Sequence, residues 1–312
     1  MTQTVQLPHE TDTIFLMDGG AETTLIFHEG IDLPYFAAFP LLDSEEGKAA
    51  LARYFRSYLD IARQHGAGFV LETPTWRAST DWGALLGYDA EALDRINRKA
   101  VAFVRNLTAD PAYAKVPVVL SGCVGPRGDG YVVGTEMTIE EATAYHAPQI
   151  RALAEAGVRL VTGLTMTYPE EAAGIALAAR DAGIRAVLSF TVETDGRLPN
   201  GQSLAEAIRM VDSVTDRAPA YYMVNCAHPD HFDHVLESDA DWTARIHGLR
   251  ANASRMSHAE LDEAEELDAG DPAELGGQYA DLRKVLPNLN VMGGCCGTDH
   301  RHVGQIALHT CG

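Results

Sequence analysis

The chain's 312 residues are 46% hydrophobic and carry 24 basic against 44 acidic side chains, a formal net charge of −20 at pH 7. This length suits one large α/β domain or two smaller ones, and the acidic excess argues against nucleic acid as a partner, because phosphates require a basic surface. Since no stretch reaches the ~18 apolar residues of a membrane span and the amino end lacks a signal-peptide pattern, we expect a cytoplasmic protein that does not bind membranes.

Short apolar runs rich in branched side chains alternate along the chain with segments of helical periodicity. The eight predicted strands are Thr13–Met17, Gly68–Leu71, Pro117–Ser121, Val158–Gly163, Arg185–Phe190, Ala220–Val224, Thr243–Leu249 and Leu289–Met292. The eight predicted helices are Glu45–His65, Ala90–Leu107, Ile139–Ala156, Glu170–Ala182, Ser203–Val214, His228–Leu236, Pro272–Val285 and Asp299–Leu308.

Strict alternation of strands and helices, without a linker or a break in composition, predicts a single (β/α)8 TIM-type barrel domain over residues 1–312. A doubly wound open sheet is the alternative fold. That fold requires a glycine-rich dinucleotide turn after the first strand, and the segment Asp18-Gly19-Gly20-Ala21-Glu22 does not have its spacing.

The barrel prediction places several polar and sulfur-containing residues together. The residues at or just past the carboxyl ends of the predicted strands are Asp18, Glu72, Cys123, Leu164, Thr191, Cys226, Asn252 and Cys295. Active sites of such barrels lie on this rim. Two long loops, residues 21–43 and 251–270, rise from the same rim, and we expect them to roof a pocket.

Two cysteine motifs carry the chemical signal. Cys295 and Cys296 are adjacent and flanked by glycines, and Cys226 follows another predicted strand in the motif Asn225-Cys226. Five cysteines in a reducing compartment favour metal binding over a disulfide framework. Three thiolates and one open position are typical of a catalytic zinc site, here at the carboxyl-terminal rim. The alternative is that these are small buried residues or a vicinal disulfide.

A zinc ion with three thiolate ligands is a weak electrophile, because the ligands carry negative charge. It is better suited to holding an incoming thiol as a thiolate, since free thiols ionise only near ~8.5 and coordinated ones are deprotonated. The expected reaction is nucleophilic attack by a substrate sulfur.

Further motifs extend from one end of the chain to the other. They are Asp18-Gly19-Gly20, Gly122-x-x-Gly125-Pro126, Gly134-Thr135-Glu136-Met137-Thr138, Ser189-Phe190-Thr191-Val192, Asp195-Gly196, Asn225-Cys226 and Gly293-Gly294-Cys295-Cys296-Gly297-Thr298. In this order they make the chain resemble the zinc-dependent homocysteine S-methyltransferases. The Asn-Cys and Gly-Gly-Cys-Cys-Gly motifs are highly specific, whereas the others are weak alone.

This resemblance implies that Cys226, Cys295 and Cys296 bind Zn²⁺ and that homocysteine sulfur takes the fourth position. A small cationic donor then supplies the methyl group and methionine forms. S-methylmethionine is the preferred donor, ahead of S-adenosylmethionine and betaine. Asp18 matches the acidic residue that the family places near the homocysteine ammonium, and the amides of Gly19 and Gly20 are expected to face the carboxylate.

Other substrate contacts are predicted with an alternative for each. Trp76 matches an aromatic position of the donor site in the family, or it packs as roof, since an aromatic face attracts a cation. Glu136 either orients a substrate or is a solvated loop charge. Asn252 either binds a substrate carboxylate or stabilises its own loop. For Tyr131 ordinary packing is the favoured interpretation.

The chain departs from the family pattern at two strand ends. Leu164 stands where many members have a glutamate that holds the substrate ammonium, and Glu72 stands where relatives commonly have a neutral residue. Either Glu72 replaces the missing charge, or the thiol acceptor is not homocysteine. The remaining alternatives are a methyltransferase or demethylase with a different thiol acceptor, and a non-catalytic zinc or thiol sensor.

The remaining cysteines and a run of histidines are interpreted as structural. Cys123 is expected to pack as a small residue, because a fourth thiolate would close the site, and Cys311 to lie at a frayed end. His228, His231 and His234 are expected to form an exposed face and not a second metal site. The sequence does not predict the oligomeric state.

Overall fold

A computed structural model describes residues 6–238, 240–264 and 266–311 of the chain. Its strands pair in parallel and in sequence order to form a closed eight-stranded barrel, so the predicted (β/α)8 fold is confirmed. The strands are β1 (Phe15–Leu16), β2 (Gly68–Glu72), β3 (Val118–Val124), β4 (Leu160–Met166), β5 (Arg185–Phe190), β6 (Tyr221–Asn225), β7 (Ile246–Ala251) and β8 (Val291–Gly294).

Helices surround this barrel on the outside. The α-helices of the described residues are α1 (Glu45–His65), α2 (Thr80–Leu85), α3 (Ala90–Thr108), α4 (Ile139–Glu155), α5 (Pro169–Asp181), α6 (Leu204–Thr215), α7 (His258–Glu263), α8 (Pro272–Val285) and α9 (His300–Thr310). Capping boxes begin several of them, as at Thr138 of α4 and Ser203 of α6. None of these helices is both long and apolar enough to cross a bilayer.

The core has an inner and an outer part because strand residues alternate in direction. The inner part fills the barrel with side chains from alternate strand positions, including Phe15, Val70, Val187, Met223 and Val291. The outer part lies between the strands and the surrounding helices and forms two larger clusters of buried side chains. Because side chains fill the barrel interior, a pocket can form only at an end of the barrel, and in this fold it forms at the carboxyl ends of the strands.

One predicted helix is wrong. Residues 228–236 form two separate 3-10 turns, Pro229–His231 and Asp233–Val235, and not an α-helix. Phe232 between them has φ −136°, which interrupts helical geometry, and the His231 ring is hydrogen-bonded to the carbonyl of Arg255. Tertiary contacts therefore override a helical period that spans only nine residues in the sequence.

The seventh strand differs from expectation in its bounds, and the two roof loops contain helical segments. Strand β7 begins and ends later than predicted, because Thr243–Arg245 forms a 3-10 turn ahead of it. The first long loop contains a π-helix, Thr23–His28, and the second contains α7. Both loops supply side chains to the pocket described below.

The contact between α4 and α5 allows a test of the packing. A Cβ atom added at Gly174 of α5 would overlap Ala142 of α4 and come within 2.7 Å of the Thr143 nitrogen, whereas one added at Gly304 of α9 would meet no atom within 4 Å. We expect Gly174→Ala to lower the free energy of unfolding by about 1–3 kcal/mol through overpacking. Gly304→Ala should raise it by up to ~1 kcal/mol through helix propensity. Urea denaturation measures both, and equal effects would contradict this account.

Candidate functional site

The main pocket opens at the carboxyl ends of the strands, as the barrel prediction requires. Its cavity volume is about 430 Å³, within the range of about 300–1,000 Å³ typical of small-molecule sites. Six of the eight predicted rim residues meet in this one cavity, namely Asp18, Glu72, Cys123, Leu164, Cys226 and Cys295. The cavity is open to the roof, where Phe27 and Phe36 of the first loop contribute exposed aromatic side chains.

Three cysteine sulfurs come together at one side of this pocket. One sulfur each from Cys226, Cys295 and Cys296 lies within 4.8 Å of the other two, the only such group among the described residues. The Cys226 and Cys295 sulfurs are in direct contact, with Cα atoms 5.4 Å apart, and Cys296 is a free thiol beside them.

The donor set fits one soft metal ion. All three sulfurs are close enough to face a single ion, and no fourth cysteine or histidine of the described residues joins the group. Burial raises the pKa of the Cys296 thiol to about 11, against the lowering effect of the Tyr131 hydroxyl. This thiol is therefore protonated at neutral pH, and metal binding would have to displace its proton.

Asn225 holds Cys226 in a backbone conformation that most residues avoid. Cys226 has φ +54°, and the buried Asn225 side chain donates to its sulfur at 3.3 Å. The same amide accepts from the Thr165 nitrogen at 3.0 Å and the Ser189 hydroxyl at 2.6 Å, and donates to the Thr165 hydroxyl at 2.9 Å. These contacts with β4 and β5 explain why asparagine precedes the cysteine.

Tyr131 contacts the sulfur group from the loop after β3. Its hydroxyl lies 3.0 Å from the Cys296 sulfur, and its ring stacks on His258 at a centroid distance of 4.1 Å. His258 in turn is hydrogen-bonded to the carbonyl of Cys226 at 2.7 Å and lies 3.0 Å from a Glu193 oxygen. The favoured interpretation of Tyr131 as ordinary packing is therefore incomplete, because its hydroxyl contacts a predicted metal ligand.

A charged cluster also lines the pocket. Arg250 at the end of β7 lies 2.6 Å from an Asp18 oxygen and 2.7 Å from a Glu72 oxygen, and the Tyr54 hydroxyl donates to Asp18 at 3.0 Å. Burial raises the pKa of Glu72 to about 7, although Arg250 acts in the opposite direction. Burial also lowers the pKa of Arg250, but Asp18 and Glu72 outweigh it and the guanidinium stays charged.

An aromatic cluster forms another wall. Trp76 lines the pocket, but the Arg77 guanidinium lies 3.8 Å above its ring and equally close to the ring of Trp82. Burial lowers the pKa of Arg77 to about 10, and Asp129 is the largest opposing influence. One face of Trp76 is thus already covered by a cation, and a cationic substrate would have to use its edge or its other face.

Gly19 and Gly20 are confined by close packing. A Cβ atom at Gly19 would lie 2.7 Å from the Tyr58 hydroxyl, and one at Gly20 would lie 2.7 Å from the Cys295 carbonyl. The Gly20 amide already donates to Thr298. The expectation that this amide faces a substrate carboxylate is therefore wrong. These glycines allow the first loop to pass directly beside the cysteines.

Glu136 and Asn252 lie apart from the main pocket. Glu136 is exposed and lines a second cavity with Tyr168 and Glu171. Asn252 is buried, is not among the residues lining the main pocket, and its side-chain oxygen has no hydrogen-bond partner among the described residues. Their predicted contacts with substrate therefore require either movement or a substrate that extends beyond the cavity.

The remaining cysteines and histidines lie outside the sulfur group. Cys123 is a buried free thiol on the pocket wall, and Cys311 is a half-buried one near the carboxyl end. The expected exposed histidine face is wrong for His228 and His231, which are buried, although His234 is exposed. Burial lowers the pKa of His228 to about 4, and no second cluster of metal-ligating groups was found in the described part of the chain.

Sequence reasoning missed Arg250 and underestimated Tyr131. An arginine at the end of a strand was a usable signal, since arginines are almost never fully buried without a partner. Asp18 and Glu72, at the ends of β1 and β2, were already identified as candidates. No comparable signal exists for Tyr131, because the position of a loop side chain does not follow from periodicity.

Comparisons with known proteins agree with this geometry. A sequence profile described as homocysteine S-methyltransferase matches residues 15–310, and no curated protein matches the sequence. The oxidized form of the homocysteine methyltransferase MmuM from Escherichia coli is 19% identical, with a TM-score of 0.76 over 98% of this chain and 100% of that one. The metallated form of the same protein is also 19% identical, with a TM-score of 0.74 over 96% of this chain and 98% of that one.

The Asn225 network provides a test of how the sulfur site is held. We expect Asn225→Ala to lower the free energy of unfolding of the reduced, metal-free protein by about 3 kcal/mol, because the Thr165 amide and the Ser189 hydroxyl lose a buried partner at ~1–3 kcal/mol each. Asn288→Ala is the matched control, since that exposed side chain makes one hydrogen bond and should cost less than about 1 kcal/mol. Urea denaturation measures both, and similar losses would show that the network is not stabilising.

Proposed function

The chain belongs to the homocysteine S-methyltransferase family and is a thiol methyltransferase by that membership, and we propose that it transfers a methyl group from a small cationic donor to the thiolate of homocysteine with Zn²⁺ as cofactor. The observation that carries the proposal is the group of three cysteine sulfurs at one side of a rim pocket that also contains buried carboxylates. We place the activity in the cytoplasm, where these thiols stay reduced.

The sulfur ligands support zinc among the divalent ions. Thiolates are soft ligands that suit zinc over magnesium or calcium, and three of them leave one position for a substrate. When bound there, zinc would supply a thiolate form of the acceptor at neutral pH. Cys226, Cys295 and Cys296 would hold the ion, Asn225 would fix Cys226, and Tyr131 would donate its hydroxyl to Cys296.

The charge of the pocket supports cationic substrates. Two arginines, Arg77 and Arg250, line it against a larger number of acidic side chains. These acidic residues are Asp18, Glu22, Glu72, Asp129, Asp262, Glu266 and Asp268. Such an excess in a cavity with low-dielectric walls attracts both the ammonium group of an amino acid and a sulfonium or quaternary ammonium donor. Among donors we favour S-methylmethionine, ahead of S-adenosylmethionine and betaine.

Methyl transfer itself requires little proton movement. The acceptor sulfur forms a new bond to the methyl carbon while the bond from the donor's sulfonium sulfur to that carbon breaks, and the bonding pair stays with the donor sulfur. The pocket has to orient the two sulfurs in line and exclude water, for which its volume of about 430 Å³ and its aromatic roof are suited. Asp18 and Glu72 are proposed to hold the acceptor's ammonium.

A thiol other than homocysteine is the second candidate acceptor. Its specific support is Leu164, a buried aliphatic side chain at the end of β4 where the family pattern has a carboxylate. A methyl acceptor or donor of different shape would then use the apolar part of the pocket. Glu72 and Leu164 together determine which candidate applies.

The zinc proposal is tested by metal analysis of the reduced protein. We expect about one zinc per chain in the wild type, loss of at least ninety per cent of it in Cys296→Ser, and full retention in Cys311→Ser, because Cys311 lies outside the sulfur group. Cobalt substitution gives a second measurement, through thiolate-to-metal absorption. Retention of zinc by Cys296→Ser would contradict the proposed ligand set.

The activity is tested with a matrix of donors and acceptors on the reduced, zinc-loaded protein. We expect methionine from homocysteine, fastest with S-methylmethionine, and a loss of at least about thirtyfold in Cys226→Ser, because only ~3% of a free thiol with pKa ~8.5 is ionised at pH 7. Absence of product with all three donors would contradict the homocysteine proposal. Product with another thiol would favour the second candidate, and no product with any thiol would favour a sensor.

A further inference from the structure

Arg250 is a buried cation whose side chain reaches into the pocket from the end of β7. It is 7% exposed, and its ionic partners Asp18 and Glu72 come from β1 and β2, at 7% and 4% exposure. No carboxylate is present at the end of β4, where Leu164 is buried instead. The pocket floor therefore holds two carboxylates and one guanidinium, with a net charge of −1 when all three are ionised.

The guanidinium has little capacity left for a substrate. Of its five N–H groups, one donates to the carbonyl of Gly294 at 3.1 Å, one to Glu72 at 2.7 Å and one to the carbonyl of Gly19 at 3.1 Å. A terminal nitrogen is also 2.6 Å from an Asp18 oxygen. Since the forked donor is occupied by protein oxygens, Arg250 is poorly placed to bind a substrate carboxylate and well placed to fix two protein carboxylates.

One acceptor atom of the cluster lacks a donor. Glu72 Oε1 is buried and makes no well-aligned hydrogen bond among the described residues, although Thr162 lies near enough to Glu72 to lower its pKa, whereas Asp18 Oδ1 is already 2.6 Å from the Arg250 guanidinium. Both side chains are more than nine-tenths buried and line the cavity. A buried acceptor without a donor is costly, so a ligand rich in N–H groups would complete the cluster.

We propose that Arg250 is a specificity-determining positioning residue, which holds Asp18 and Glu72 side by side as one anionic receptor for the ammonium group of the thiol acceptor. This inference rests on the proposed thiol methyltransferase function and deepens it. Glu72, held in place by Arg250, replaces the carboxylate that the end of β4 lacks. The acceptor class is accordingly an aminothiol, and the amino group contributes more to recognition than the carboxylate does.

Two truncated acceptors separate the contributions of the ammonium and the carboxylate. 3-Mercaptopropylamine keeps the thiol and the amine of homocysteine, whereas 4-mercaptobutanoate keeps the thiol and the carboxylate. We expect Arg250→Met to raise KM for homocysteine and for 3-mercaptopropylamine at least tenfold, with kcat changed less than about threefold, and to leave 4-mercaptobutanoate unaffected. Arg250→Lys should restore part of the loss, because it keeps the charge without the fork.

The pH profile distinguishes positioning from a structural role. The charged and titratable groups around Glu72 are Arg250, Asp18, Cys123 and Tyr221, and burial keeps the last two neutral by raising the pKa of each. Glu72 must be ionised to bind an ammonium, so acceptor binding should weaken as pH falls through about 7. Loss of the guanidinium in Arg250→Met should move this loss of acceptor binding to higher pH, and Glu72→Gln should abolish the pH dependence. A loss of binding at the same pH in Arg250→Met as in the wild type would overturn the proposal.

Binding measurements separate failure of the inference from failure of the function. Calorimetric titration of the zinc-loaded protein with 3-mercaptopropylamine requires no methyl donor and should show the same tenfold dependence on Arg250. Binding that depends on Arg250 without turnover would contradict the proposed function and support the inference. Turnover with an unchanged KM in Arg250→Met would do the reverse. If Arg250→Met does not fold, Arg250→Lys and Glu72→Gln carry the test, and a larger effect on 4-mercaptobutanoate than on the amine would overturn it.

Discussion

The site depends on closure of the barrel by the pairing of β1 with β8. The two strands meet through only two residue pairs, Phe15 with Val291 and Leu16 with Met292. Just beyond them the Gly294 amide donates to the Asp18 carbonyl at 2.8 Å, which brings the start of the chain beside Cys295. Residues more than 270 positions apart in sequence therefore share one rim. Bringing them together costs loop-closure entropy, and packing of the barrel core offsets that cost.

Burial of charge is the second constraint, and it acts on stability and recognition together. Two buried carboxylates beside one buried guanidinium gain less from attraction than they lose in hydration unless their remaining lone pairs find donors. Burial accordingly raises the pKa of Glu72 to about 7, and Arg250 keeps it from rising further. Burying a net negative charge costs free energy, and a cationic ligand recovers part of that cost by pairing with it. The burial that destabilises the ionised cluster therefore also makes the site selective for cations.

The sequence predicted the fold and the meeting of the cysteines because both follow from periodicity. Alternating strands and helices imply a rim, and Cys226, Cys295 and Cys296 follow the ends of two strands. Arg250 was missed because the predicted seventh strand ended at Leu249, two residues before the observed end at Ala251. Asn252 was therefore predicted as the rim residue of this strand. Tyr131 and the turns at residues 228–236 depend on tertiary contacts that no local pattern contains.

Arg250 also links the two halves of the site. Its backbone carbonyl accepts from the Cys226 amide at 3.1 Å, and its side chain donates to the carbonyl of Gly294, the residue before Cys295. The distance between the sulfur group and the carboxylate pair is thus set by strand backbone and not by a roof loop. A rigid separation of this kind favours acceptors whose sulfur and nitrogen match it, because a shorter or longer chain leaves one of the two ends without its partner.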